Sequence, residues 1–273
     1  MNTPFAPARA AAGAQPVRIG DYLRQWRQRR RLSQLDLALD AEISARHLSF
    51  IETGRAAPSR DMVMRLAERL DVPLRERNVL LVAAGFAPAF PQRMLDDPAL
   101  AAARGAVDQV LKAHEPNPSL AVDRHWNLIA ANRMIGPLLD GIAPALLAPP
   151  LNVLRLSFHP DGLAPRTANL GEWSAHLLER LHRQCEATAD PKLLELYDEL
   201  KTYSVPALAE PFVPNAVAVP FRLQLGNETL SFISTTMVFG TPLDVTLSEI
   251  AIETFFPADD ATGARLRSIA AAL

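Results

Sequence analysis

The chain has 273 residues, 49% hydrophobic and 21% charged, the proportions of an ordinary globular protein long enough for two separate cores. Its single cysteine, Cys185, excludes an intrachain disulfide and a zinc site built on several thiolates. No apolar stretch has membrane-spanning length and no compact apolar run follows a basic start, so the cytoplasm is the expected location. The formal net charge of −2 conceals an asymmetry: 14 arginines against 9 acidic residues up to Phe90, then 14 Lys and Arg against 21 acids. A basic segment joined to an acidic one fits a polyanion-binding part attached to a part with another task.

Residues 1–17 are Ala/Pro-rich without pattern and are expected to be a disordered tail. Residues 18–86 then carry the punctuation of five short helices. Ile19, Tyr22, Leu23 and Trp26 form one apolar stripe, and the run Arg27–Arg31 closes that helix on a positive cluster. Ser33, Ser44 and Ser59 stand where N-caps belong, opening helices through Ala41, from Arg46 to Glu52 and to near Leu70. Pro73 suits the first turn of the fifth, which ends at Ala84-Gly85. Residues 87–98, bearing Pro88, Pro91 and Pro98, read as a linker.

Beyond it, residues 99–273 form a second domain. Ala99–His114 reads as a helix, Ser119–Asp123 and Asn127–Ala131 as strands around a turn, and Asn132–Leu139, Leu170–Cys185 and Pro191–Thr202 as helices. Val217, Val219, Phe221, Leu223 and Leu225 alternate as a strand, Gly226-Asn227 turns the chain, and Thr229–Phe239 and Val245–Phe256 supply two more. That order implies an α+β fold with a largely antiparallel sheet.

Gln34–Ile51 meets the requirements of a helix-turn-helix. Ala38 is small where two helices must approach, while Leu37, Ala41, Ile43, Leu48 and Ile51 plug the corner. Ala45, Arg46, Ser49 and Phe50 remain on the outer face of the second helix, with His47 at its edge, free for a DNA major groove. The stretch Leu32-Ser-Gln-Leu-Asp-Leu-Ala-Leu-Asp-Ala-Glu-Ile-Ser44, followed by Arg46-His-Leu-Ser-Phe-Ile-Glu-Thr-Gly-Arg55, resembles the XRE regulators. With Pro58-Ser-Arg60 and Val72-Pro-Leu-Arg-Glu-Arg-Asn78 it is similar to their MmyB-like subgroup. The family turn favours glycine where this chain has Glu42, so Glu42 is expected in a left-handed conformation costing roughly 1 kcal/mol.

The resemblance implies an all-α, five-helix, lambda-repressor-like domain followed by a PAS-like α+β domain. It implies that Gln34 holds a phosphate or buttresses the reading helix, that Arg46 reads a base, and that Ser49 and Phe50 follow the groove. Arg55 and the helix start at Ser59-Arg60 would grip phosphate. A homodimer on a two-fold operator follows from the domain type.

The likeness continues through Leu120-Ala-Val-Asp123, Trp126-Asn127 and Ala131-Asn132, which resemble a PAS opening. It also takes in His159-Pro-Asp-Gly-Leu-Ala-Pro-Arg166, Asn169, Glu172-Trp173 and Phe239-Gly-Thr-Pro-Leu-Asp-Val245. In that family the second domain takes an apolar molecule such as a fatty acid. Trp126, Asn132, Phe221 and Phe232 are then candidate cavity residues, beside Leu223 and Ile233, with His159 or Arg166 meeting a carboxylate. The plainer reading makes those apolar residues core, pairs Arg166 with an acid and makes His159-Pro-Asp-Gly162 a turn. His176 and His182 have the wrong spacing for one helical face, and His182 with Cys185 makes too few metal ligands. The motifs of nucleophile elbows, phosphate loops and zinc helices are absent, so neither an enzyme nor a resident cofactor or metal is expected. A constitutive DNA binder whose second domain only dimerises stays open as the alternative.

Overall fold

In the computed structural model, residues 18–203 and 219–273 are described. The chain divides into two compact units after Pro91. The expected tail at 1–17 and the strand position Val217 lie outside the described residues.

The first unit contains five helices: α1 Ile19–Arg29, α2 Gln34–Asp40, α3 Ala45–Glu52, α4 Arg60–Arg69 and α5 Leu74–Ala83. The three serines cap as expected, Ser33 accepting from Asp36 N–H, Ser44 from His47 N–H and Ser59 from Met62 N–H. Leu23, Leu37, Leu48, Ile51, Leu66 and Leu80 are fully buried where the stripes converge. The helices end alike. After α2, Glu42 N–H bonds Leu39 C=O and Ile43 N–H bonds Ala38 C=O, a Schellman closure that sets Glu42 at φ 56°. Arg31 and Asp71 repeat this with positive φ, whereas Gly54 and Gly85 do so as glycines. The α1–α3 approach is tight. A Cβ on Gly20 would lie 2.5 Å from Ile51 O and 2.6 Å from Glu52 O, so only glycine fits.

Residues after α5 are tied down rather than loose. Asn78 accepts from the N–H groups of Ala89 and Phe90 and donates to Phe90 C=O. Gln92 onward belongs to the second unit, where Arg93 pairs with Asp244 at 2.8 Å and Arg104 bonds the Leu95 carbonyl. The division after Pro91 falls within the segment 87–98.

The second unit adds α6 Ala101–Ala113, β1 Ser119–Val122, β2 Leu128–Ala131, α7 Pro144–Leu147, α8 Val153–Phe158, α9 Leu170–Thr188, α10 Pro191–Lys201, β3 Phe221–Leu225, β4 Glu228–Val238, α11 Val245–Ser248, β5 Ala251–Pro257 and α12 Asp260–Ala272. Its five strands are antiparallel in the order β2-β1-β5-β4-β3, the α+β architecture expected. Both sheet faces are covered, which is why β1 is buried along its whole length. On one face Val107 and Leu111 of α6 pack on Ala121 and Ile252. On the other, Leu120, Phe221 and Phe232 meet Trp173, Leu177 and Leu196 of the helical layer. The Gly226-Asn227 turn joins β3 to β4 with Gly226 at φ 62°, the glycine position of a type II′ hairpin.

Beside the short helices α7 and α8, which the sequence pattern does not predict, three further elements depart from expectation. Asn132–Leu139 is no helix; it contains only a 3-10 turn at Gly136–Leu139, where Gly136-Pro137 withholds helical backbone bonding. Val245–Phe256 is not one strand, because Asp244 accepts from Thr246 N–H and starts the α11 turn before β5. Helix α12, capped by Asp259, was not anticipated.

Candidate DNA interface and ligand cavity

Behind α3 lies a buried charge network. Arg27 of α1 donates Nε–H to Glu52 Oε1 at 2.7 Å and Nη2–H to Oε2 at 2.9 Å, the bidentate geometry a guanidinium favours. Its Nη1–H goes to Leu32 C=O, and Gln34 of α2 donates to Glu52 Oε2 at 2.8 Å. One carboxylate at the end of α3 therefore fastens three helices. Burial opposes its ionisation, but the hydrogen bonds from Arg27 and Gln34 and the charges of Arg27 and Arg24 outweigh that and hold Glu52 below the ordinary glutamate range. The Gln34 side chain thus joins α2 to the end of α3. Arg30 is likewise turned inward, donating to Leu70 and Asp71 carbonyls at the end of α4. The Arg27–Arg31 run is thus less available to a polyanion than its sequence implied.

The outer face of α3 differs. Arg46 and Arg55 are exposed, and both guanidiniums approach the half-buried Phe50 ring, at 5.3 and 5.8 Å from its centroid. The aromatic ring gathers two cations, one from the helix and one from the loop after it. Ala45, His47 and Ser49 are half-buried beside them, with the His47 N–H held by Ser44 and the Ser49 carbonyl accepting from Thr53. Ser59 uses its hydroxyl to cap α4, leaving Arg60 exposed at that helix start. The arrangement offers an exposed helix face with a planar cationic group, flanked by further cations.

The second unit encloses an apolar cavity of about 80 Å³ between the sheet and α8–α9. Its walls include Leu120, Trp126, Leu154, Trp173, Phe221 and Phe255. That volume is below the roughly 150 Å³ of a cavity that admits benzene. A longer ligand therefore needs side chains of the lining to yield.

Of the candidates from sequence, Trp126, Phe221 and Leu223 line this cavity; the others do not. Phe232 is fully buried behind it, 6.1 Å from Phe221. Asn132 is a structural brace, accepting from Ser119 N–H and donating to the Leu111 and Asn117 carbonyls. His159 packs edge-on against Tyr203, and its Nδ1 meets Asp161 N–H as a turn residue would. Arg166 pairs with no acid among the described residues; it donates to the Gln224 and Asp140 carbonyls.

The polar corner of the cavity comes from residues not singled out in the sequence. Arg180 of α9 donates Nη1–H to Glu253 Oε2 at 3.0 Å and Nη2–H to Oε1 at 2.6 Å, and Nη2–H also reaches Thr236 Oγ1 at 2.8 Å. Thr236 donates in turn to Glu253 at 3.0 Å. The guanidinium lies 4.6 Å over the Trp126 ring, whose N–H donates to Gln184. The signal was present in outline. Arg180 follows Trp173 and Leu177 on one apolar helix face, and Glu253 interrupts an apolar strand.

Elsewhere, His182 is exposed near Glu186 while Cys185 is buried, so the two do not converge. Burial, with the nearby Asp190, raises the Cys185 thiol pKa. Among the described residues no helix is long and apolar enough to cross a membrane.

Residues 23–77 match the helix-turn-helix family model, and residues 103–269, over half the chain, match that of the MmyB-like transcription regulator ligand binding domain. No curated protein matches the chain. With an XRE-type helix-turn-helix in front of that ligand-binding domain, the chain belongs to the family of MmyB-like transcription regulators.

Proposed function

We propose that this DNA-binding transcription regulator recognises a specific operator as a homodimer through α3, and that a small apolar ligand in the second domain sets its DNA affinity. The observation that carries the DNA half is the exposed Arg46–Phe50–Arg55 cluster on a helix anchored from behind by Glu52. Arg46 reads guanine through O6 and N7, Phe50 orients it, and Arg55 and Arg60 hold phosphates. Two such helices meet half-sites one DNA turn apart, about 34 Å. Ser49 and Phe50 also follow the groove wall. The chain acts by binding, in the cytoplasm, and without catalysis.

The apolar cavity supports the ligand half. Binding sequences selected from a random duplex pool by the full chain test the DNA half. Arg46→Ala should lose roughly 1–3 kcal/mol on the selected site and relax one base position. Arg55→Ala should weaken all sequences alike and flatten the salt dependence. Equal losses on every sequence for both variants would remove the base-reading role of Arg46.

A further inference from the structure

Taking the cavity as a ligand site, we infer that it is built for an uncharged apolar molecule with one hydrogen-bonding group, and that Glu253 turns free carboxylates away. An arginine in an apolar pocket invites a carboxylate, but this one is already neutralised. Glu253 is 4% exposed and takes both Nη groups of Arg180. A second carboxylate beside the pair would leave a net negative charge against apolar walls, with one guanidinium for two anions. Displacing Glu253 is no easier, since the buried carboxylate would keep only the Thr236 hydroxyl as partner. A cationic head group fares no better. The Trp126 face is already covered by Arg180 at 4.6 Å.

An uncharged acceptor, by contrast, is provided for. The guanidinium has five N–H groups, and its bonds to Glu253 and Thr236 engage three. Two N–H donors therefore have no partner among the described residues. Ser234 lines the same cavity, stands two residues before Thr236 on the same face of β4, and its hydroxyl has no hydrogen-bond partner among the described residues. An ester or ketone oxygen accepts from both, and a primary alcohol both accepts and donates there. Arg180 and Ser234 bind the head group, and Glu253 sets which head groups are admitted.

The test compares octan-1-ol, methyl octanoate and octanoate at pH 7.5, by isothermal titration against the full chain. The alcohol and ester should bind at least ten times more tightly than the carboxylate. Glu253→Gln, checked for folding by its circular dichroism and melting curve, frees the Arg180 charge and should reverse the ranking in favour of octanoate. Ser234→Ala should weaken the alcohol and ester several-fold while leaving the ranking intact, and it covers the case in which Glu253→Gln does not fold. Octanoate binding as tightly as the ester in the unaltered chain overturns the inference alone. If none of the three binds, the reading of the cavity as a site for such ligands falls with it.

Discussion

Arg27–Glu52 and Arg180–Glu253 are both bidentate pairs around a buried carboxylate, one in each domain, and their surroundings differ. The first is closed. Its side chains are 10% and 2% exposed, Gln34 occupies one carboxylate oxygen, and the Leu32 carbonyl takes a third donor. The second has a more open arginine, at 26%, and both partners line an apolar cavity. A buried ion pair surrounded by helices fastens them, whereas the same pair at a cavity wall presents hydrogen-bonding groups to whatever enters. Environment, rather than residue type, separates a closed anchor from a pair that faces a cavity.

The largest effect that would sharpen this contrast is expected from Arg27→Met. It strands the Glu52 charge in the helical domain and should cost about 3–5 kcal/mol in denaturant unfolding of that domain, without altering ligand binding in the other. Equal damage to both functions would break the contrast. The pair also sets an acid limit. Because Glu52 titrates below the ordinary glutamate range when folded, the stability it contributes is fully present above that range. It is lost as pH falls through the depressed value, and Glu52→Gln should remove that part of the acid dependence.

Arg180→Met should be milder, about 1–3 kcal/mol, since the arginine it removes is partly open to solvent. Its main consequence is altered ligand selection, read by the same titrations. Gly20→Ala probes the frame behind the first pair. With two backbone oxygens of α3 in the way of the new methyl, about 1–3 kcal/mol of destabilisation is expected. Smallest of all, Glu42→Gly relieves the left-handed turn and should raise the melting temperature by the equivalent of less than about 1 kcal/mol, the flexibility of glycine offsetting part of the gain.

The helical domain was legible because its determinants are local. Serine caps, the plugs Leu37, Ala41 and Leu48, and the left-handed Glu42 all lie within a few residues of what they shape. The bond from Gln34 to Glu52 was not legible, since its partner lies on another helix. In the second domain the strand alternation gave the sheet, but not the break that Asp244 imposes before β5. Arg166 and His159, candidates for meeting a carboxylate, stand outside the cavity lining. The polar corner of the cavity joins Arg180 to Glu253, 73 residues apart, and that separation leaves no periodic trace.

The central claim is that the cavity and the DNA face share one equilibrium. Its most direct test is fluorescence anisotropy of a selected operator duplex titrated with the full chain at fixed salt, with and without saturating methyl octanoate. Coupling of about 1–3 kcal/mol predicts a 5- to 150-fold displacement of the curve. Superimposed curves, with the ester shown to be bound, would contradict the account and leave a constitutive DNA binder.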